Sequence, residues 1–460
     1  MSIRESSYGY WSGDTAFVIV AAVAGIGIGS ITRLPALAGE YGGGVFVLCY
    51  LAALLVLGWP LLLAELMLGR WCRRSVVPGF ERLALASGAG RGWSVIGWMM
   101  LAAGVMVLAY TSVIAGWSLA YVLRSAAGGV SGESPPALLS VFHYLARDPE
   151  RSLAWHTMFM MMACIVVGHG IRDGVERGAR YLMTLAGICL LGLLWFTLGH
   201  GDVPGAVERM FLPRPGDFGW RGFLEAVHMA FFSATVGLGV MYAFGHYVPA
   251  RSPMPALSAW VVLIMGAVSV VGGLAVTAIL LPGGNGVGNG LVLIFQSLPA
   301  ALPSGWGGVW PAVMFYGLLA CVALASGIAL LESLTLRVME RMRTTRVFAA
   351  TSSAVFVWLL GIGCLLSFNV LSDWQLFGRT LFGWLQWATV TVLAPSAALL
   401  LCVFVVRIMP PGLRDEAWGA GGGALRGLWV WLLRFPARVL LIALLLYGLG
   451  LVQAVVKLWN

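Results

Sequence analysis

The chain has 460 residues, 60% of them hydrophobic and only 10% charged. An ordinary soluble domain carries about a quarter of its residues as charges, so this balance excludes one. The net charge of +9 follows the loops rather than forming a basic stripe, which argues for a lipid bilayer as partner and against nucleic acid.

Apolar runs of the ~20 residues needed to cross a bilayer recur along the whole chain. They read as eleven spans, at 15–37, 44–68, 95–123, 154–170, 179–199, 223–246, 257–281, 308–336, 347–368, 377–406 and 430–456. No separate soluble domain interrupts them, so residues 1–456 read as one transmembrane domain. With the N-terminus in the cytoplasm, 17 basic residues fall in inner segments and 8 in outer ones. The positive-inside rule then predicts a multi-pass protein of the bacterial cytoplasmic (inner) membrane, N-terminus inside and C-terminus outside.

Span one contains a polar interruption, Gly25-Ile26-Gly27-Ile28-Gly29-Ser30, followed by Arg33 and Pro35. Glycine and proline sustain a helix poorly. Freed backbone groups at membrane depth persist only where they are packed in protein or line a cavity. The break therefore points to a ligand site. The alternative is a small-residue packing face formed by Gly25, Gly27 and Gly29. Arg33, one turn further, is expected to face an aqueous vestibule, because a charge within a span costs a few kcal/mol unless paired or hydrated.

Glu65 and Glu332 are intramembrane acids, read as structural supports rather than proton carriers. The seven cysteines form no CxxC pair and the six histidines no metal spacing, so the chain is not read as an enzyme and no cofactor is implied. His228 and His246 lie near opposite ends of span six and read as structural. Span six carries a second interruption, Phe231-Phe232-Ser233-Ala234-Thr235-Val236-Gly237-Leu238-Gly239. Spans one and six open two sets of five, at about 15–199 and 223–406, which five-span topology places in opposite orientation. Interruptions at corresponding positions of two halves mark a transporter binding site. The outer segment from Pro282 to Gly308 contains Gly284–Gly290 and an apolar stretch suited to a short re-entrant or surface helix.

Each break yields half-helix ends. The N–H groups of Ile28 and Gly29 suit a carboxylate. The carbonyls of Gly25, Phe232 and Ser233 suit an ammonium or a cation. A zwitterion between the breaks satisfies both. In span eight, Ser326 beside Gly327 offers a small polar face toward span one, or bonds only its own helix.

These features, with Trp11, Gly42-Gly43-Gly44-Val45-Phe46, Gly69-Arg70, Gly170-Ile171-Arg172-Asp173-Gly174 and Ser326-Gly327-Ile328-Ala329, resemble the neurotransmitter:sodium symporter family in its bacterial eleven-span form. The resemblance implies an all-α membrane protein, a leucine-transporter-like 5+5 inverted-repeat bundle plus an eleventh transmembrane helix. Spans 1, 2, 6 and 7 would rock against 3, 4, 8 and 9. It implies that Ile28 and Gly29 meet the substrate carboxylate and that Gly25, Phe232, Ser233 and Thr235 surround the amine. Val107, Thr111, Phe232, Leu238, Ser326 and Leu330 would line the side-chain pocket.

One sodium site would use the carbonyls of Val23, Ile26 and Val322 with the Ser326 hydroxyl; another would use Gly25, Ser30 and Ser233. Arg33 and Gln386 would form an outer gate, Trp11 and Glu340 an inner closure. The chain departs from the family at several of these points. Ser30 replaces an asparagine, span seven has no asparagine, Ala325 replaces a threonine, Thr111 replaces the tyrosine that clamps the carboxylate, and Gln386 replaces the gating acid. The expectation is a secondary transporter importing a small neutral or apolar amino acid or related amine, with sodium as coupling ion and chloride dependence open. The alternative is a transporter-like protein that binds or senses a ligand without sodium-driven transport.

Overall fold

The computed structural model describes residues 8–283, 288, 290–419 and 423–451. Most of Gly284–Gly290, Arg4, Lys457 and the end of span eleven lie outside the described residues. Within them the chain is helical. Nine helices are long and apolar enough to cross a membrane, and a bent pair supplies a tenth span.

That pair is α1 (Asp14–Gly25) and α2 (Ile28–Glu40), which meet at 57°. There follow α3 (Gly44–Cys72), α4 (Val76–Ala86), α5 (Val95–Ala126), α6 (Pro135–Ala146), α7 (Pro149–Gly168), α8 (Ile171–His200) and α9 (Val203–Phe211). Span six is α10 (Trp220–Ser233) and α11 (Val240–Gly245), interrupted between them. Next come α12 (Met254–Leu280), a short helix α13 at 291–301, α14 (Trp306–Met342), α15 (Arg346–Leu366) and α16 (Leu381–Ile408). After α17 (Pro411–Trp418) comes the last span, Gly423–Gly448, made of α18 (Gly423–Arg434) and α19 (Pro436–Gly448).

Two packing groups emerge from these helices. One joins α1, α2, α3, α10, α11 and α12; the other joins α5, α7, α14 and α15. They are the two groups expected to rock against each other, and α14 meets α1 across their boundary. Close approach within the first group needs glycine. A Cβ on Gly69 would lie 1.9 Å from the Tyr242 carbonyl, and one on Gly245 would lie 2.2 Å from that of Leu66. Without side chains there, α3 and α11 come into backbone contact, the small-residue packing that membrane helices use. The lipid-facing surface is apolar: Leu191, Trp195 and Leu198 on α8 and Phe356 and Leu359 on α15 are all exposed. The acids do the opposite. Glu332 is fully buried, accepts from Tyr247 Oη at 2.6 Å and pairs with Arg346, consistent with a structural support.

Candidate functional site

Both predicted breaks are present. α1 ends at Gly25, Ile26 and Gly27 are extended, and α2 begins at Ile28. Gly27 caps α2 without a side chain, so the N–H groups of Ile28 and Gly29 have no acceptor within their helix. The second break turns through Thr235, Gly237 and Gly239, at φ 54°, 78° and 73°. Left-handed backbone is routine for glycine and uncommon for threonine. Gly237 N donates to Glu65 Oε1 at 2.7 Å, and Glu65 is fully buried. An acid on α3 thus holds the unwound strand of span six in place.

The breaks face each other. Thr235 Oγ1 donates to Gly25 O at 3.4 Å, and the hydroxyls of Ser30 and Ser233 lie 3.5 Å apart. Between and above them lies a cavity of about 410 Å³. Gly25, Ile28, Gly29, Val107, Thr111, Phe232, Ser233, Thr235, Leu238, Ser326 and Leu330 all line it. The packing-face alternative for the three glycines holds only at Gly25, where an added Cβ would strike Met265; Gly27 has open space around it and Gly29 only the Arg33 side chain at 3.5 Å.

Val23, Ile26 and Val322 lie outside the cavity lining and are at most 2% exposed. Of the carbonyls expected around Ser326, that of Ile26 lies 3.5 Å from its hydroxyl, which donates to Ala24 O at 2.8 Å. Ser326 therefore bridges to α1 rather than bonding only its own helix. The donors gathered there are oxygens, the set a hard cation requires.

Arg33 and Gln386 both reach the cavity at its far end. The absence of an acid at Gln386 predicts an unpaired Arg33, and the structure corrects this. Arg33 Nη2 lies 3.4 Å from Glu225 Oε2 on α10, and Glu225 also accepts from Tyr447 Oη at 3.1 Å. Glu225 carried a readable signal, as an acid inside an apolar run. Its partner could not be read, because the bend at Gly25–Ile28 sets the approach of α2 to α10.

Trp11 and Glu340 lie at the other end. Trp11 is 2% exposed; its indole N–H donates to Phe244 O at 3.1 Å and its backbone N–H to Tyr247 O at 3.1 Å. Glu340 accepts from the N–H and hydroxyl of Ser75 at 2.8 and 2.5 Å and faces Arg74 at 3.7 Å.

Several lining residues were not predicted: Tyr110, His228, Ile294 on α13, and Phe382 and Val390 on α16. Tyr110 shares the wall with Thr111, its ring edge-on to Phe382 at 5.8 Å. The His228 ring is tilted against that of Phe232 with centroids 5.1 Å apart, and its Nδ1 has no hydrogen-bond partner among the described residues. Ile294 is fixed by Tyr316 Oη, which donates to its carbonyl at 2.8 Å. The wall at Val390 belongs to a wide helical turn, Ala388–Leu393, of the kind that recurs at functional sites.

Comparisons with known proteins place this geometry. The profile of the sodium:neurotransmitter symporter family matches residues 8–131. The sodium-dependent transporter YhdH of Bacillus subtilis is 31% identical over 450 residues, 95% of this chain and 98% of the relative. The chain belongs to the sodium:neurotransmitter symporter family. A sodium-dependent transporter of Haemophilus influenzae is 28% identical, covering 88% of this chain and 90% of its own length. The crystal structure of MhsT in complex with L-phenylalanine superposes with a TM-score of 0.86 at 28% identity, covering 96% of this chain and 99% of that one. The mouse sodium-dependent neutral amino acid transporter B(0)AT2 is 24% identical over 52% of this chain and 36% of its own length. Within this symporter family the chain is a membrane transporter, with the all-α inverted-repeat fold and eleventh helix expected of it.

Proposed function

We propose that this chain is a secondary transporter importing a small neutral, apolar amino acid or related amine by alternating access, coupled to sodium. The observation that carries the reading is the cavity between two unwound segments, with uncapped N–H groups of α2 on one side and carbonyl-bearing helix ends on the other. Ile28 and Gly29 would hold the solute's carboxylate through their N–H groups and the positive end of α2. Carbonyls of Gly25, Phe232 and Ser233, with the Thr235 hydroxyl, would hold its ammonium. Val107, Thr111, Leu238, Ser326 and Leu330 would enclose its side chain. That wall is mostly apolar, which favours an uncharged side chain.

Sodium, as co-transported ion, would be held by the Ser326 hydroxyl and the carbonyls of Val23, Ile26 and Val322. Trp11 and Glu340 would close the cytoplasmic end; Arg33 and Gln386 would flank the outer entrance. The protein would lie in the bacterial cytoplasmic membrane with its N-terminus inside. L-phenylalanine in MhsT and the name of B(0)AT2 support the solute class.

Uptake into proteoliposomes tests the reading. An inward sodium gradient should drive accumulation of radiolabelled apolar amino acids, and a potassium gradient should not. Binding without uptake or counterflow would instead identify a ligand sensor.

A further inference from the structure

The space between the two breaks is closed on its α12 side by Met265. A Cβ built on Gly25 would lie 1.7 Å from Met265 Cε, 3.0 Å from its Sδ and 3.1 Å from Thr235 Oγ1. The thioether end therefore rests on the bare face of Gly25, beside the threonine hydroxyl that donates to the Gly25 carbonyl. Met265 is 1% exposed, so this methyl is part of the packed core. The hydroxyls of α12 do not replace it. Ser258, Ser269 and Thr277 donate to Pro255, Met265 and Gly273 carbonyls at 2.9, 2.8 and 2.8 Å, all within or at the start of their own helix.

What remains between the breaks is thin for a metal ion. Apart from the Phe232 and Ser233 carbonyls, assigned above to the solute's ammonium, the oxygens there are the Gly25 carbonyl and the hydroxyls of Ser30, Ser233 and Thr235. A hard cation stripped of water needs a shell of oxygens. A thioether is a soft donor and a methyl group none, and a charge set against apolar surface is costly. At Ser326, by contrast, a hydroxyl meets the carbonyl oxygens of Ala24 and Ile26.

We infer that Met265 takes the place of cation coordination between the breaks, so that this transporter couples each solute to one sodium ion rather than two. The inference rests on the sodium-coupled reading above. The solute's own ammonium then supplies the positive charge that the carbonyl end of α1 attracts.

Equilibrium binding of ²²Na⁺ to the purified full chain, with and without L-phenylalanine, tests it. Wild type should bind one sodium per chain with a Hill coefficient of one. Met265→Leu should keep that value, and Met265→Asn combined with Ser30→Asn should raise it to two. Two sodium ions in wild type would overturn the inference while leaving sodium coupling intact, whereas none would overturn the sodium-coupled reading itself. A folded double variant that still binds one would remove Met265 as the cause. If the double variant does not fold, the wild-type count decides.

Discussion

Arg33 on α2 is paired with Glu225 on α10, at 3.4 Å. Both helices belong to the same packing group, so this ion pair need not break when the two groups rock. On α16, across the cavity, Gln386 stands where an acid would offer Arg33 a second partner. The Arg33 side chain is 34% exposed and that of Glu225 19%, so the pair is partly screened. Partly exposed pairs are worth about 0.2–1 kcal/mol. A double-mutant cycle on solute affinity with Arg33→Ala and Glu225→Gln should return a coupling in that range, less than about fivefold. The Arg33→Ala and Gln386→Ala cycle should return less. A larger coupling to Gln386 would place the working gate across the cavity.

Gly29 and Gly25 should respond differently to substitution. A Cβ on Gly29 meets only the Arg33 side chain, at 3.5 Å, and points toward the cavity. Gly29→Leu should leave thermal stability nearly unchanged and reduce solute binding more than tenfold, about 1.4 kcal/mol or more. Gly25→Ala must displace the Met265 methyl, and overpacking a close-packed core costs about 1–3 kcal/mol. Paired melting and binding curves check both. Normal solute binding by Gly29→Leu would misplace the carboxylate.

The Glu65–Gly237 bond predicts a stability effect without any contact to solute. Glu65→Ala would leave a buried N–H without its acceptor, at a cost of about 1–3 kcal/mol. Glu65→Gln keeps a carbonyl acceptor and should retain most of the stability. Gly237→Ala should be worse than either: its φ is 78° and its Cβ would lie 2.5 Å from the Ala394 carbonyl. Melting temperatures of the three variants in detergent give the ranking.

Trp11 should control access from its own end of the bundle. It is packed edge-on against Phe244 and Tyr247, at 5.4 and 5.7 Å. Trp11→Ala removes those contacts and the bond to Phe244 O, with a cost of about 3–5 kcal/mol to the closed packing. In a cysteine-free background carrying Val23→Cys, it should raise the rate of labelling by a membrane-impermeant thiol reagent at least tenfold. Unchanged labelling would deny Trp11 a sealing role.

Much of this protein was written in its linear order. Spans, breaks and the amphiphilic character of the breaks follow from residue type, because hydrocarbon forbids unsatisfied backbone and clustered glycines beside polar residues weaken a helix. The cavity wall at Val107, Thr111, Leu238 and Leu330 was legible only through the resemblance to the symporter family, whose pocket positions these residues occupy.

What the tertiary structure decided are relations between side chains on different helices. Glu225 was visible as an acid in an apolar run, yet its pairing with Arg33 depends on the 57° bend between α1 and α2. Nothing in the linear order singles out Met265, and only its seat on Gly25 gives it a bearing on the ions. His228, Ile294 and Phe382 reached the cavity through crossing angles and a short helix whose placement no local pattern encodes. Periodicity fixes which face a residue occupies, while helix packing alone fixes which face it meets.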